Sequence, residues 1–227
     1  MTLIQHFKEL KKRIIYSLVF FVAAFALGLY IAPALSDLIV APLLNVWDNP
    51  TLIYTGIADG LMVQFSLAGF FALFVSIPVI LWHIWGYSAP ALKKNEKRIL
   101  LPILIMSPML FAAGAAFAYF VLLPIMFGFF IDIAADNAQM MPNFKNYLAF
   151  SVNLLRAFGL AFQFPLIMVL LNRAGVVSKK QVLSKGRYIV VGVFILATVL
   201  TPPDILSQIL LALPLLVLFG LSLFFMV

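Results

Sequence analysis

The chain has 227 residues, 65% of them hydrophobic and only 10% charged, with a formal net charge of +7. So little polar surface cannot cover a soluble globule of this length, and composition alone points to an integral membrane protein. The absence of cysteine excludes disulfides, thiolate metal sites and cysteine nucleophiles.

At the start, Thr2 and Gln5 fit a capping box, and Leu3, Phe7, Leu10 and Ile14 fall on one face at helical spacing. This predicts an interfacial helix over 2–13 that runs straight into the first span. No small-residue cleavage site closes a short apolar region after Lys8 to Arg13, so a removable signal peptide is not expected. A spanning helix needs about 20 mainly apolar residues, and the chain offers six stretches, at 14–35, 61–84, 99–122, 147–171, 188–200 and 205–227. The apolar run 99–131 is long enough to be read as two short spans, but a second crossing there would move the bases from Arg173 to Arg187 to the other side of the membrane. It is read as one span with an apolar extension past Pro124. The stretch 188–200 makes only about 20 Å of helix against a hydrocarbon core of about 30 Å. Thr201, Pro202, Pro203 and Asp204 then leave room for a tight turn, so the last two helices are expected to be a short hairpin whose tip, with Asp204, is drawn below the outer surface. Prolines at 78, 102, 108, 165 and 214 should bend their helices. The small residues from Ala112 to Ala116 should let a neighbouring helix approach closely.

Charge sets the topology. Thirteen of the fifteen Lys and Arg residues fall at 8–13, 93–98 and 173–187, separated by pairs of spans, so the positive-inside bias puts all three clusters in the cytoplasm. All six Asp residues then face outwards, with Lys145 the only outer base, and both termini are cytoplasmic. The expectation is an all-α, multi-pass protein in which residues 1–227 form a single integral membrane domain. The bases lie beside spans and are not interleaved with aromatics, which argues against a nucleic-acid groove.

Catalysis has little to build on. There is no G-x-S-x-G, H-E-x-x-H or G-x-x-x-x-G-K motif, and the two histidines, His6 and His83, sit near the cytoplasmic interface, where such rings are ordinary. No cofactor or metal is implied. Glu9 and Glu96 are the only carboxylates among the thirteen cytoplasmic bases. Glu9 can pair with Arg13 at i, i+4, and Glu96 with Lys93, Lys97 or Arg98. The alternative is that these acids dock a cation, for which a planar guanidinium is the natural guest. Within the spans Gln64, Asn153, Arg156, Gln163 and Gln208 stand out. Interhelical hydrogen bonding accounts for a lone Gln; for Arg156, Gln163 and Asp204 a shared polar concavity open to the outer leaflet is expected.

The first cytoplasmic loop, WGYSAPALKKNEKR over 85–98, resembles that of the TatC family, the core of the twin-arginine protein translocase. The likeness runs the length of the chain: His6, Glu9, Leu10 and Arg13 match an H-x-x-E-L-x-x-R pattern, Ala41 to Leu43 an outer-loop A-P-L, and Phe117 to Phe120 with Pro124 the third span. Phe158, Gly159, Phe162 and Pro165 match the fourth, and Thr201 to Asp204 with Ser207 and Gln208 a T-P-P-D turn. The resemblance implies a glove-shaped six-helix receptor of a prokaryotic inner membrane. It would bind twin-arginine signal peptides and recruit single-span TatA and TatB partners in an oligomeric complex, driven by the proton-motive force. Glu9, Glu96 and Arg13 would belong to the signal-peptide site, with Tyr87 where the family commonly has Phe and with Pro90 and Leu92 shaping the loop. Gln163 stands where the family often has Glu, and Arg156 where an apolar residue is expected. An ion-coupled secondary transporter is the alternative; such proteins usually carry inverted repeats, and none is found here.

Overall fold

The computed structural model describes residues 3–47, 50–88, 94–133, 141–173, 175–200 and 205–226. Their architecture is helical: α1 (Leu3–Tyr30), α2 (Ala32–Leu44), α3 (Asp59–Ser88), α4 (Lys94–Phe117), a π-helical turn (Ala118–Leu122), α5 (Leu123–Ile133), α6 (Phe144–Ala161), α7 (Gln163–Arg173), α8 (Lys179–Ser184), α9 (Gly186–Leu200) and α10 (Ile205–Phe225). Among the described residues, five helical stretches are long and apolar enough to cross a membrane, at 8–30, 59–84, 104–133, 144–173 and 208–225. Of the two helices expected to be short, α9 has 15 residues and α10 has 21. The turn at 201–204 lies outside the described residues.

Three boundaries differ from the sequence reading, and proline accounts for each. The first span, expected to reach residue 35, ends at Tyr30 because Pro33 cannot donate to Leu29; the same residue suits the opening turn of α2. The third span runs past 122 to Ile133. Pro124 has no N–H for Phe120, and the wider turn at Ala118–Leu122 absorbs that loss without ending the helix. The fourth span is divided at Phe162 into α6 and α7, since Pro165 cannot donate to Ala161. Pro78 and Pro214, by contrast, lie inside unbroken helices.

The chain forms two compact units, residues 1–38 with 54–109, and residues 39–53 with 110–227. In the first, α1 packs along α3. Phe25 stacks on Phe65 at 6.0 Å, and Gly28 lies so close to α3 that a Cβ would sit 2.9 Å from Ala68 Cα. Asp59, the first residue of α3, accepts from the N–H of Gly56 in the preceding turn at 2.8 Å. Residues 3–30, which take in most of the segment 2–13, form one continuous helix, α1.

The second unit is built around α5 and α6. Phe127 meets Tyr147 at 4.9 Å and Phe150 at 5.8 Å, and the Tyr147 hydroxyl donates to the Ile39 carbonyl at 2.7 Å. The small residues expected to admit a neighbour do so: Gly114 of α4 faces the Phe158 backbone of α6 with no space for a Cβ. A parallel bridge joins Ile53 to Asn143, through Ile53 N–H to Pro142 O at 3.1 Å and Phe144 N–H to Ile53 O at 2.8 Å. In the same unit α10 packs on both α7 and α9.

Candidate functional site

In the first unit, the basic segment of α1 lies against the last turns of α3. Glu9 and Arg13, one turn apart on α1, form an ion pair in which Nε and Nη2 of Arg13 both donate to Oε1 of Glu9, at 3.1 and 2.7 Å. Nη1 of Arg13 reaches α3 and donates to the His83 carbonyl at 3.2 Å. A cation near a helix C-terminus is favourable, since the last carbonyls there carry partial negative charge. Gly86 leaves room for this placement of the guanidinium, which a Cβ at that position would displace. The i, i+4 pair expected from spacing is therefore present, and it is anchored to a second helix.

Both partners keep 25% of their side-chain surface exposed. A carboxylate offers about four acceptor sites on two oxygens, and Arg13 draws on one oxygen only. The pair opens onto two cavities that share Arg13 and His83. One, about 630 Å³, is mainly apolar, with Leu10, Ile14, Leu18, Ile80 and Ile84 around Tyr87. The other, about 510 Å³, is lined by Lys8, Glu9, Lys12, Tyr16 and Trp82. Lys12 lies 5.6 Å from the Tyr16 ring, and Tyr16 is 6.2 Å from His83. A charged peptide segment with an apolar flank would find an anionic oxygen and an apolar shelf side by side.

The structure thus brings Glu9, Arg13 and Tyr87 into one region. Glu96 falls in the first turn of α4, within the same compact unit, but its side chain lies outside the described residues, as do Pro90 and Leu92. Sequence reasoning missed Tyr16, Trp82 and Gly86. Tyr16 follows Arg13 at i+3, which was a usable signal; Trp82 and Gly86 are legible only once α3 is laid on α1.

The intramembrane polar residues divide. Gln208 of α10 donates to the Phe194 carbonyl at 3.1 Å and to the Thr198 hydroxyl, joining α10 to α9 as an interhelical hydrogen-bonding residue should. Arg156, half-buried, shares a cavity of about 550 Å³ with Asn153. The walls are otherwise apolar, Gln163 is not among the lining residues, and Asp204 lies outside the described residues.

Residues 5–214 match the family profile described as "TatC: Sec-independent protein translocase protein (TatC)". The chain belongs to the TatC family. It is 40% identical over 226 residues to the Sec-independent protein translocase protein TatC of Azotobacter chroococcum, covering 99% of this chain and 89% of that protein. It is 38% identical over 224 residues to the TatC of Escherichia coli K12, covering 98% and 87%. A crystal structure described as "Twin Arginine Translocase Receptor- TatC" superposes with a TM-score of 0.85 at 32% identity, covering 97% of each chain. A second crystal structure of that receptor, in DDM, gives 0.86 at 31% identity over 96% of this chain and 98% of that one. This TatC-family chain is accordingly a multi-pass membrane subunit of the bacterial twin-arginine translocase, and the solute-transporter alternative gives way to a component of a protein translocase.

Proposed function

We propose that this chain is the signal-peptide receptor of its translocase, with Glu9 and Glu96 holding the consecutive arginines of the peptide at the cytoplasmic face. The observation that carries the reading is the Glu9–Arg13 pair. Its carboxylate is held in place through one oxygen by a guanidinium anchored on α3, while the side chain stays partly exposed beside an apolar cavity. A carboxylate fixed in this way is preorganised to accept a second guanidinium, and the residues around Tyr87 offer a surface to the apolar part of a signal sequence. Pro90 and Leu92 would shape the neighbouring loop. Recruitment of TatA- and TatB-type single-span subunits, oligomeric assembly and drive by the proton-motive force complete the proposal, since TatC relatives are Sec-independent translocase proteins. The chain itself would work as a receptor with no catalytic step.

The test is binding of an Arg-Arg signal peptide to the purified chain, with a Lys-Lys peptide as control. Glu96→Gln should weaken Arg-Arg binding about tenfold or more, because losing one partner of a hydrogen-bonded charge pair costs about 2 to 5 kcal/mol where it is desolvated. Unchanged affinity at low and high salt would leave Glu96 as a partner of its neighbouring lysines alone.

The receptor reading needs the basic segments in the cytoplasm. We place six crossings with both termini inside, α9 being the short one, because all three basic clusters then share one side. Single cysteines introduced at 93–98 and 179–185 should react with a membrane-impermeant reagent from the cytoplasmic side alone; labelling from outside at either segment ends this topology.

A further inference from the structure

In the second unit, the segment from the end of α7 to the start of α9 carries Arg173, Lys179, Lys180, Lys185 and Arg187, and the sequence has no acid between Asp136 and Asp204. Arg173, Lys180, Lys185 and Arg187 are exposed, and none of these bases forms an ion pair with a described residue. Topology asks only for charge here, whereas this segment has a defined shape. Gly175, at φ 72°, turns the chain after α7, and its N–H donates to the Asn172 carbonyl at 2.9 Å. The Asn172 amide donates across the turn to the Val177 carbonyl at 3.1 Å. Ser178 and Gln181 then open α8 with a reciprocal capping box. The Lys179 ammonium donates to the Met226 carbonyl, just past the end of α10, at 3.4 Å. That bond holds α8 where α7 and α10 end and α9 begins, which is the membrane boundary at this end of the unit.

Apolar side chains stand among the bases. At about 100° per residue, Leu183 falls between Lys179 and Lys180 on one face of α8. Leu183 is 57% exposed and Val176 66%, while Val182 is buried against the protein. An exposed Leu flanked by two ammonium groups at the level of the span ends fits a helix lying in the headgroup region. In the first turn of α9 the Arg187 guanidinium lies 4.9 Å from the ring of the exposed Tyr188, a residue suited to the same depth.

We propose that this segment is a docking surface for anionic phospholipid. Lys180, Lys185 and Arg187 hold headgroup phosphates, while Leu183 and Val176 enter the boundary between headgroups and acyl chains. The occupant follows from charge complementarity, since each Lys or Arg near a membrane surface favours anionic lipid about fivefold and no acid here offsets it. An acidic protein segment matches the charge as well, but the place of Leu183 and Val176 at the span ends favours the bilayer already there. Under the six-crossing topology this is the cytoplasmic leaflet. Anchoring this end to headgroups also decides that α9, with 15 residues, takes up its mismatch with the bilayer at its other end. The surface is separate from the Glu9–Arg13 region, which lies in the other compact unit.

The chain has no cysteine, so Leu183→Cys carries a single environment-sensitive fluorophore. Nanodiscs of equal parts phosphatidylglycerol and phosphatidylcholine are prepared with one lipid brominated, then the other. Brominated phosphatidylglycerol should quench at least about twofold more than brominated phosphatidylcholine. Lys180→Gln together with Lys185→Gln should bring that ratio close to one, and high salt should shrink it. Both positions are exposed, so the fold tolerates the change. Equal quenching by the two lipids before the bases are replaced overturns the proposal, as does a ratio that the double replacement leaves intact. Water-like emission with no quenching by either lipid places the segment in solvent and overturns it too. A photo-reactive residue at Val176 gives a second reading in whole membranes. It should capture phospholipid, and capture of a protein with no lipid would assign the surface to an acidic partner instead.

Discussion

In the first compact unit the Glu9–Arg13 pair keeps a quarter of each side chain exposed, whereas in the second the Tyr147 hydroxyl is buried on the Ile39 carbonyl and the Ser151 hydroxyl on that of Tyr147. Packing follows the same division less sharply. Of the most apolar stretches, 11% of residues are buried in 8–30 and 22% in 59–84, against 28% in 144–173 and 208–225 and 44% in 104–133, most of which belongs to the second unit. The Tyr147 and Ser151 hydroxyls thus close on the backbone, while among the described residues the Glu9 carboxylate is engaged through one oxygen only and lines a cavity that shares Arg13 and His83 with an apolar one. Lipid supplies no hydrophobic drive between helices, so close packing and internal hydrogen bonds hold a membrane bundle together. On this comparison the second unit is expected to carry more of the stability, and under the proposed function the first carries more of the recognition.

The sharpest way to break this comparison is to truncate one buried and one lipid-facing side chain. Phe158 is fully buried, its ring 5.9 Å from that of Phe117 and its backbone against Gly114. Phe158→Ala should cost about 3 kcal/mol, the low end for a buried aromatic, because lipid weakens the transfer contribution and leaves the cavity contribution intact. Leu18→Ala, at a site 58% exposed on α1, should cost below about 0.5 kcal/mol. Unfolding in mixed SDS micelles measures both. Similar losses would mean that α1 and α3 are as tightly built as the α4–α6 contact.

What the sequence made legible follows the range of the interaction. Glu9 and Arg13 are four apart on one helix, so their pairing could be read from spacing; the His83 carbonyl that anchors Arg13 is seventy residues away, and no local pattern points to it. Prolines announced bending without saying where. Pro165 divides a helix at Phe162, Pro124 is absorbed by a π-helical turn, and Pro78 and Pro214 leave their helices unbroken, because each outcome depends on what the neighbouring helices can accommodate. Gln208 could be foreseen as an interhelical donor but not its acceptors, Phe194 and Thr198, which are fixed by how α9 and α10 meet. Hydropathy found the apolar spans, and it could not find α2, a 13-residue helix with Pro42 inside it. The sequence suggests a polar concavity shared by Arg156, Gln163 and Asp204; the cavity at Arg156 instead has Asn153 as its other polar residue and otherwise apolar walls, because Leu160, Phe164 and Leu196 come from three helices whose register the sequence does not state.

The smallest effect on stability tests the division of labour most directly. Glu9→Gln removes the charge of the pair while keeping its size and one acceptor oxygen. With both partners 25% exposed, the pair is partly screened by solvent, and its loss should change stability by less than about 0.5 kcal/mol in the same micelle titration. Binding of the Arg-Arg peptide should nevertheless fall about threefold, less than for Glu96→Gln, because Arg13 already neutralises much of the Glu9 charge. High salt should shrink that difference, as it does for exposed charges. The alternative is that Glu9 only holds α1 to α3 by fixing Arg13. Glu9→Gln would then lower stability while the peptide bound as before, and the exposed pair would join the internally closed polar groups of the second unit.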